Sequence, residues 1–258
     1  MIQKTFIFTV DDNVRFLKEL NSADYQSLFE HPYLAMYKRL HEKYGLKVQL
    51  NLFYETDDFD LSMMTSRYKP EWNSCSDWLK MSFHSRRENV KPYENSSYNE
   101  VNLDCALVES SIARFAGRRS LAKTTTIHYC LLTTEGIRAV TDAKYLGLLG
   151  LYGTHESPRT SYQTSEADAD RIRSDEIIYD GGVAYTGIDV VLNMYSEEEI
   201  LRLLDGLIGR DRIKVMIHEQ YFYSDYKRYQ SDFEQKLSAT FKKLRQNGYR
   251  SAFFEEII

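Results

Sequence analysis

The sequence predicts an α/β protein, an irregular TIM-like (β/α)7 barrel, on three observations. Strand-like and helix-like segments alternate about seven times, the pattern of parallel strands joined by helical crossovers. A length of 258 residues suits one large α/β domain spanning residues 1–258. The glycine pattern of a dinucleotide fold is missing after the first strand and no P-loop occurs, which favours a barrel over a doubly wound sheet.

The first strand is the apolar run Phe6-Ile7-Phe8, which ends in Thr9-Val10-Asp11-Asp12-Asn13. Successive strand residues point to opposite faces, so Asp11 and Asp12 diverge unless the backbone turns there. A helix follows from Val14 to Leu20, and one of the two acids is a candidate cap for it. Helical spacing marks Tyr33 to Tyr44, stopped by Gly45. Leu46 to Tyr54 reads as the second strand and runs into Glu55-Thr56-Asp57-Asp58. The segment Phe59 to Asp77 is long enough to be functional or to carry short helical pieces, with its methionines and Trp72 as a candidate cleft wall.

Trp78 to Phe83 is the third strand, followed at once by His84-Ser85-Arg86-Arg87-Glu88. Asn95 to Phe115 is amphipathic, with Val101, Cys105, Val108, Ile112 and Phe115 along one face. Thr124 to Ile127 is β-branched and stops at His128-Tyr129. A helix from Thr134 to Lys144 leads to a strand from Tyr145 to Leu151. Thr154 to Asp175 is polar without a sustained period and reads as an excursion at the mouth of the domain. Ile177-Ile178-Tyr179 and Thr186 to Leu192 are strand-like, with Asp180-Gly181-Gly182 as a tight turn. Ser196 caps a helix from Glu197 to Ile208. A late strand, Lys214 to Ile217, ends at His218-Glu219; a helix from Tyr229 to Asn247 and a strand from Ser251 to Phe254 complete the chain.

Composition narrows the partners. A net charge of -5 provides no basic footprint for nucleic acid. Cys75, Cys105 and Cys130 are far apart, odd in number and without a CxxC pair, so they read as reduced core thiols. No segment is long and apolar enough to span a bilayer, and the N-terminus runs straight into a strand, so a cytoplasmic location is expected. The 20 tyrosines suit either a sugar-stacking cleft or half-buried packing positions.

The chemistry-bearing residues share a position. Asp11, Asp12, Glu55, His84, His128 and His218 all fall at or just beyond the end of an expected strand, and in a parallel barrel those ends gather at one face. His84 and Glu88 are four apart, which one helical turn would place on a common face. A carboxylate of the aspartate pair, His84 and a further ligand make a nitrogen and oxygen donor set suited to a divalent ion. The other carboxylate could take a proton from water and His218 could give one to a leaving group.

These motifs resemble the polysaccharide deacetylases of carbohydrate esterase family 4. Thr9-Val10-Asp11-Asp12-Asn13 is similar to the family's Thr-Phe-Asp-Asp-Gly segment, His84-Ser85 to the opening of its His-(Ser/Thr)-x-x-His motif, and Val215-Met216-Ile217-His218-Glu219 to its late strand ending in His-Asp. The resemblance implies a distorted (β/α) barrel that removes acyl groups from N-acylated sugars with a divalent metal, zinc first, with cobalt, nickel or manganese as alternatives. It implies Asp11 as base, Asp12 and His84 as metal ligands and His218 as acid. Glu88 stands where the second metal histidine would be, and no Arg-x-x-Pro-Tyr-Gly segment follows the fourth strand; His128 occupies about that place. Glu88 and His128 are thus further candidate ligands. Arg86, Glu55 and Tyr221 are candidate contacts to a small-molecule or oligosaccharide substrate. Two other classes stay open: a metal-free glycosidase using Asp11 and Glu55, and a sugar-binding protein on an inherited scaffold.

Overall fold

A computed structural model describes residues 3–88 and 93–258. In chain order it contains β1 (Thr5–Asn13), α1 (Arg15–Ser22), α2 (Pro32–Tyr44), β2 (Val48–Phe53), a small hairpin of β3 (Glu55–Thr56) and β4 (Phe59–Asp60), α3 (Lys69–Ser74) and β5 (Leu79–Ser85). There follow α4 (Tyr98–Phe115), β6 (Thr124–Thr125), α5 (Thr134–Asp142), β7 (Gly147–Gly150), α6 (Glu166–Arg173), β8 (Ile178–Asp180), β9 (Val183–Gly187) and β10 (Val190–Val191). The chain ends with α7 (Glu197–Leu207), β11 (Arg212–His218), α8 (Phe233–Gln246) and β12 (Arg250–Ser251).

The strands form the irregular (β/α)7 barrel that the sequence predicts. One parallel arc runs β10-β11-β1-β2-β5 and a second contains β6, β7 and β9, with β8 antiparallel on its edge. A bridge between Met81 and Leu121, continued by the Ala122 amide on the Met81 carbonyl at 2.8 Å, joins β5 to the start of the second arc. On the other side β9 pairs with β7 and, two residues on, β10 pairs with β11, so one bent strand spans both arcs. Side chains complete that seam. Asp189 Oδ2 accepts the Lys214 amide at 2.7 Å and Asp175 Oδ2 accepts the Arg212 amide at 3.3 Å, so two carboxylates satisfy strand donors. Lys214, 2% exposed at its side chain, reaches Asp175 at 2.6 Å and Asp189 at 3.1 Å, which compensates its burial.

Two layers of core result. The larger lies between the strands and the surrounding helices and includes Phe8, Phe16, Trp72 and Phe115. The smaller fills the barrel with Ile7, Leu149, Ala184, Ile188, Val191, Met216 and Phe254. Phe254, in a 3₁₀ turn after β12, plugs the end opposite the strand termini and lies so close to Gly147 that a Cβ there would stand 2.6 Å from its ring. Trp72 is fully buried on Phe16 and Phe115 at 6.5 and 6.4 Å, so it is core and not the expected cleft wall. Tyr33, Tyr37, Tyr68, Tyr93, Tyr145 and Tyr152 are likewise interior. The three cysteines are free and buried.

Local signals explain most boundaries. Ser97 and Ser196 each form a capping box, with Glu100 and Glu199, and start α4 and α7. Gly45 ends α2 at φ 64°. α1 departs from expectation, because neither aspartate caps it. Its first amides, Val14, Arg15 and Phe16, donate instead to the Glu219 carboxylate at 2.8, 3.0 and 2.7 Å. The polar stretch after residue 154 also contains α6, which presents only Ala169 and Ile172 as buried apolar residues and so lacks a readable stripe. No helix among the described residues is long and apolar enough to cross a membrane.

Candidate metal centre and active site

The parallel register of β1 and β11 sets Asp11 opposite His218. β1 then departs from regular geometry: its register with β2 shifts between Val10 and Asn13, and Asp12 takes φ 62°. Asn13, fully buried, fastens this turn. Its Nδ2 donates to the Val10 carbonyl at 2.6 Å and the Asn51 carbonyl at 3.2 Å, while its Oδ1 accepts the Tyr33 hydroxyl at 2.9 Å. The turn brings Asp11 and Asp12 to one cavity of about 360 Å³, which His84, His128, His218 and Tyr221 also line.

Three donor atoms converge at its floor. Asp12 Oδ1 lies 3.1 Å from His84 Nε2 and 3.3 Å from His128 Nδ1, and the two imidazole nitrogens are 3.2 Å apart. Bonds of about 2.0–2.2 Å to one ion require donors roughly 3.0–3.6 Å apart, so this triangle fits a single divalent cation with its remaining positions open to the cavity. The protonation chemistry fits too. The His84 ring gives its Nδ1 proton to the Thr126 carbonyl, so the proton it holds toward Asp12 is on Nε2, and loss of that proton makes Nε2 the ligand atom. Burial lowers the His128 pKa and favours the neutral ligand form. Burial alone would raise Asp12, but hydrogen bonds from His128 and His84 outweigh it and hold the carboxyl well below its ordinary value. His84 moves upward against the effect of burial because Asp11 and Asp12 attract its proton, so the centre favours a positive charge where a cation would sit. Gln220 Nε2 steadies the second Asp12 oxygen at 2.8 Å. The rings of His84 and His128 pack on Phe53 at 5.2 and 4.9 Å.

Asp11 is buried beside this triangle. Asn51 Nδ2 donates to its Oδ1 at 2.6 Å. The Asn51 amide cannot turn without loss, because its Oδ1 accepts Gln49 Nε2 at 2.8 Å and the Ser82 hydroxyl at 2.6 Å. Burial raises the Asp11 pKa, although His84, His218 and the Asn51 hydrogen bond draw it back. Across the cavity, Asn193 Oδ1 accepts from the His218 amide at 3.2 Å and from its Nδ1 at 2.9 Å, which turns Nε2 outward as the exchangeable nitrogen.

Other expected site residues stand elsewhere. His84 belongs to β5 and residues 86–88 after it are not helical, so the spacing of four does not bring Glu88 to the same face. Glu88 lines the rim of the cavity but lies outside the convergent triad, which is completed by His128. Glu55 is held by Arg86 at 3.0 Å and Arg87 at 3.1 Å, and Arg86 also reaches Asp104 at 3.5 Å. These groups neutralise one another beside the cavity, and Glu55 lines an adjoining hollow, so Asp11 and Glu55 do not present the paired carboxylates of a glycosidase. Tyr221 borders the cavity at 6.2 Å from the His218 ring. Sequence reasoning missed Asn51, Asn193, Gln220 and the Thr126 carbonyl, all of which orient a site group without carrying its chemistry.

No protein-family model and no curated protein sequence matches the chain. Solved structures do match. A deacetylase determined with substrate aligns at TM-score 0.57 and 9% identity, over 99% of this chain and 90% of its own. A family 4 acetyl xylan esterase from Clostridium thermocellum, in complex with a cobalt ion, aligns at TM-score 0.54 and 13% identity, over 98% and 90%. The chain has the fold of the family 4 carbohydrate esterases. That fold is not confined to them: a 4-alpha-glucanotransferase from Thermococcus litoralis aligns at TM-score 0.62 and 14% identity over 98% of this chain and 40% of its own. The residues in the cavity must therefore distinguish the activities.

Proposed function

We propose that this chain is a divalent-metal-dependent hydrolase that deacylates an N-acylated carbohydrate or cleaves a related amide. The observation that carries the proposal is the triangle of Asp12, His84 and His128 donor atoms, 3.1 to 3.3 Å on a side, in one cavity with Asp11 and His218. A cation held there supplies Lewis acidity and a water ionisable near neutral pH. Asp11, its pKa raised by burial and its carboxylate fixed by Asn51, accepts the proton of the attacking water as that oxygen bonds to the acyl carbon. The C–N bond then breaks as His218 gives its Nε2 proton to the departing amine, with Asn193 holding the ring. Asp12, His84 and His128 serve as ligands, Gln220 fixes the Asp12 carboxylate, and Tyr221 offers a stacking surface. A small-molecule or oligosaccharide substrate suits the cavity, and the donor set suits zinc, cobalt, nickel or manganese.

Metal analysis of protein purified without chelators tests the reading. Near-stoichiometric metal is expected in the wild type and little in Asp12→Ala, His84→Ala or His128→Ala. Because His84 has a raised pKa, its proton competes with the ion, so occupancy should fall as the pH is lowered. Acetate release from N-acetylated chito-oligosaccharides should stop on chelation. A metal-free wild type, or variants that keep their metal, would sink the proposal.

A further inference from the structure

The cavity contains two cations that the proposed reaction does not use. Arg159 and Arg228 both line it, together with the metal triad and His218. Arg159, in the stretch after β7, gives one Nη2 hydrogen bond to the carbonyl of Tyr129, which follows β6, at 3.0 Å. Arg228 projects from the segment between β11 and α8. Neither forms an ion pair with a described carboxylate. Other arginines of the chain do: Arg15 with Glu19 and Asp225, Arg173 with Asp170, Arg210 with Asp189. Even Arg86, which the sequence put forward for substrate, is taken up by Glu55, as is its neighbour Arg87.

The charge of the cavity wall leads to the same place. A divalent ion on the triad balances Asp11 and Asp12. Glu88, the remaining carboxylate of the lining, has its pKa raised by burial and by Asp12, with Lys227 only drawing it back, and it forms no ion pair with Arg159 or Arg228. Two guanidinium groups are left over; both line the cavity and are exposed, so they can reach a molecule that occupies it. Guanidinium presents a planar fork of donors that matches an oxyanion, which a neutral hexose does not offer.

We infer that the substrate carries an oxyanion near its scissile acyl group and that Arg159 and Arg228 bind it. This rests on the deacylase reading and narrows it to acidic N-acylated sugars, such as those bearing a carboxylate or a phosphate. The two guanidiniums determine specificity: they select and orient the substrate, while the water attack stays with Asp11.

Calorimetric binding of metal-ion-chelating hydroxamates to the zinc-loaded chain tests it. Acetohydroxamate is neutral beyond its chelating end, whereas the monohydroxamates of succinate and glutarate add a carboxylate at two different reaches. At least one acidic probe should bind roughly 10-fold or more tightly than acetohydroxamate, given the strength of charge-assisted hydrogen bonds. Arg159→Gln with Arg228→Gln should abolish that preference and leave acetohydroxamate affinity unchanged. Displacement of the acidic probe by less inorganic phosphate than acetate assigns a phosphate-bearing substrate, and the reverse order a carboxylate. Equal affinity for all three probes, or a preference that survives both substitutions, overturns the inference alone. If no hydroxamate binds, the hydrolase reading falls and takes this inference with it.

Discussion

The two sides of the barrel interior differ in kind. On β2, β5 and β6 the lining is polar: Gln49, Asn51, Ser82 and Thr124 bond to one another, with Thr124 Oγ1 on Gln49 Oε1 at 2.9 Å and Asn51 Nδ2 on Asp11 at 2.6 Å. On β7, β9, β10 and β11, apart from Lys214 with its partners Asp175 and Asp189, it is apolar, with Leu149, Ala184, Val191 and Met216 closing around Phe254. Both are buried, so solvent does not explain the contrast. The polar side pre-orients the groups that must hold one geometry, and the apolar side holds the wall together beneath them. A buried polar chain of this sort is tolerable because its members satisfy each other.

Substitutions on the two sides should therefore fail differently. The largest loss of stability is expected from Phe254→Ala, which empties the centre of the apolar side and should cost about 3–5 kcal/mol. Denaturant melts read this, and activity per folded molecule should persist. If kcat fell as steeply as stability, the apolar side would have a part in positioning and the contrast would fail.

Asn51→Leu addresses the polar side. It removes the donor to Asp11 and strands the hydrogen-bonding atoms of Gln49 and Ser82, at a cost of about 1–3 kcal/mol in stability. Its main effect should be on kcat, roughly 100-fold lower at nearly constant KM, because a misaligned base affects the transition state more than binding. Metal content should be unchanged, since Asn51 touches no ligand of the triad. A proportional loss of metal would mean that Asn51 acts through the fold and not through Asp11.

How much of this the sequence revealed follows the same division. The strand ends were legible because apolar runs stop at charged residues, and with them Asp11, Asp12, His84, His128 and His218. Asn51 was not, although its signal was present: in Val48-Gln49-Leu50-Asn51-Leu52 the polar residues alternate. Alternation in a strand ordinarily marks a solvent face, and here that face points to the barrel axis. The capping role of Glu219 is not legible for another reason. A carboxylate that caps a helix 203 residues away leaves no local trace. α6 was lost because its helix rests on Ser165, whose side chain accepts the Asp168 amide at 3.1 Å, and on too few apolar contacts to mark a period.

The smallest expected effect addresses the one ligand assignment that the sequence and the geometry divide. By motif position Glu88 is the third ligand; by convergence of donor atoms His128 is. The two residues follow neighbouring barrel strands, Glu88 after β5 and His128 after β6. Tyr129 and Cys130, next to His128, adopt φ 61° and 57°, so the chain is held in an uncommon conformation where it presents the imidazole. Glu88 is exposed, and it requires no such arrangement. Glu88→Gln should consequently leave metal stoichiometry intact and change affinity by no more than about 2-fold, the range of a screened charge at the rim. His128→Gln should release the ion. Competition with a fluorescent zinc chelator measures both, and the reverse ranking would return the third ligand to Glu88 and leave His128 to packing on Phe53.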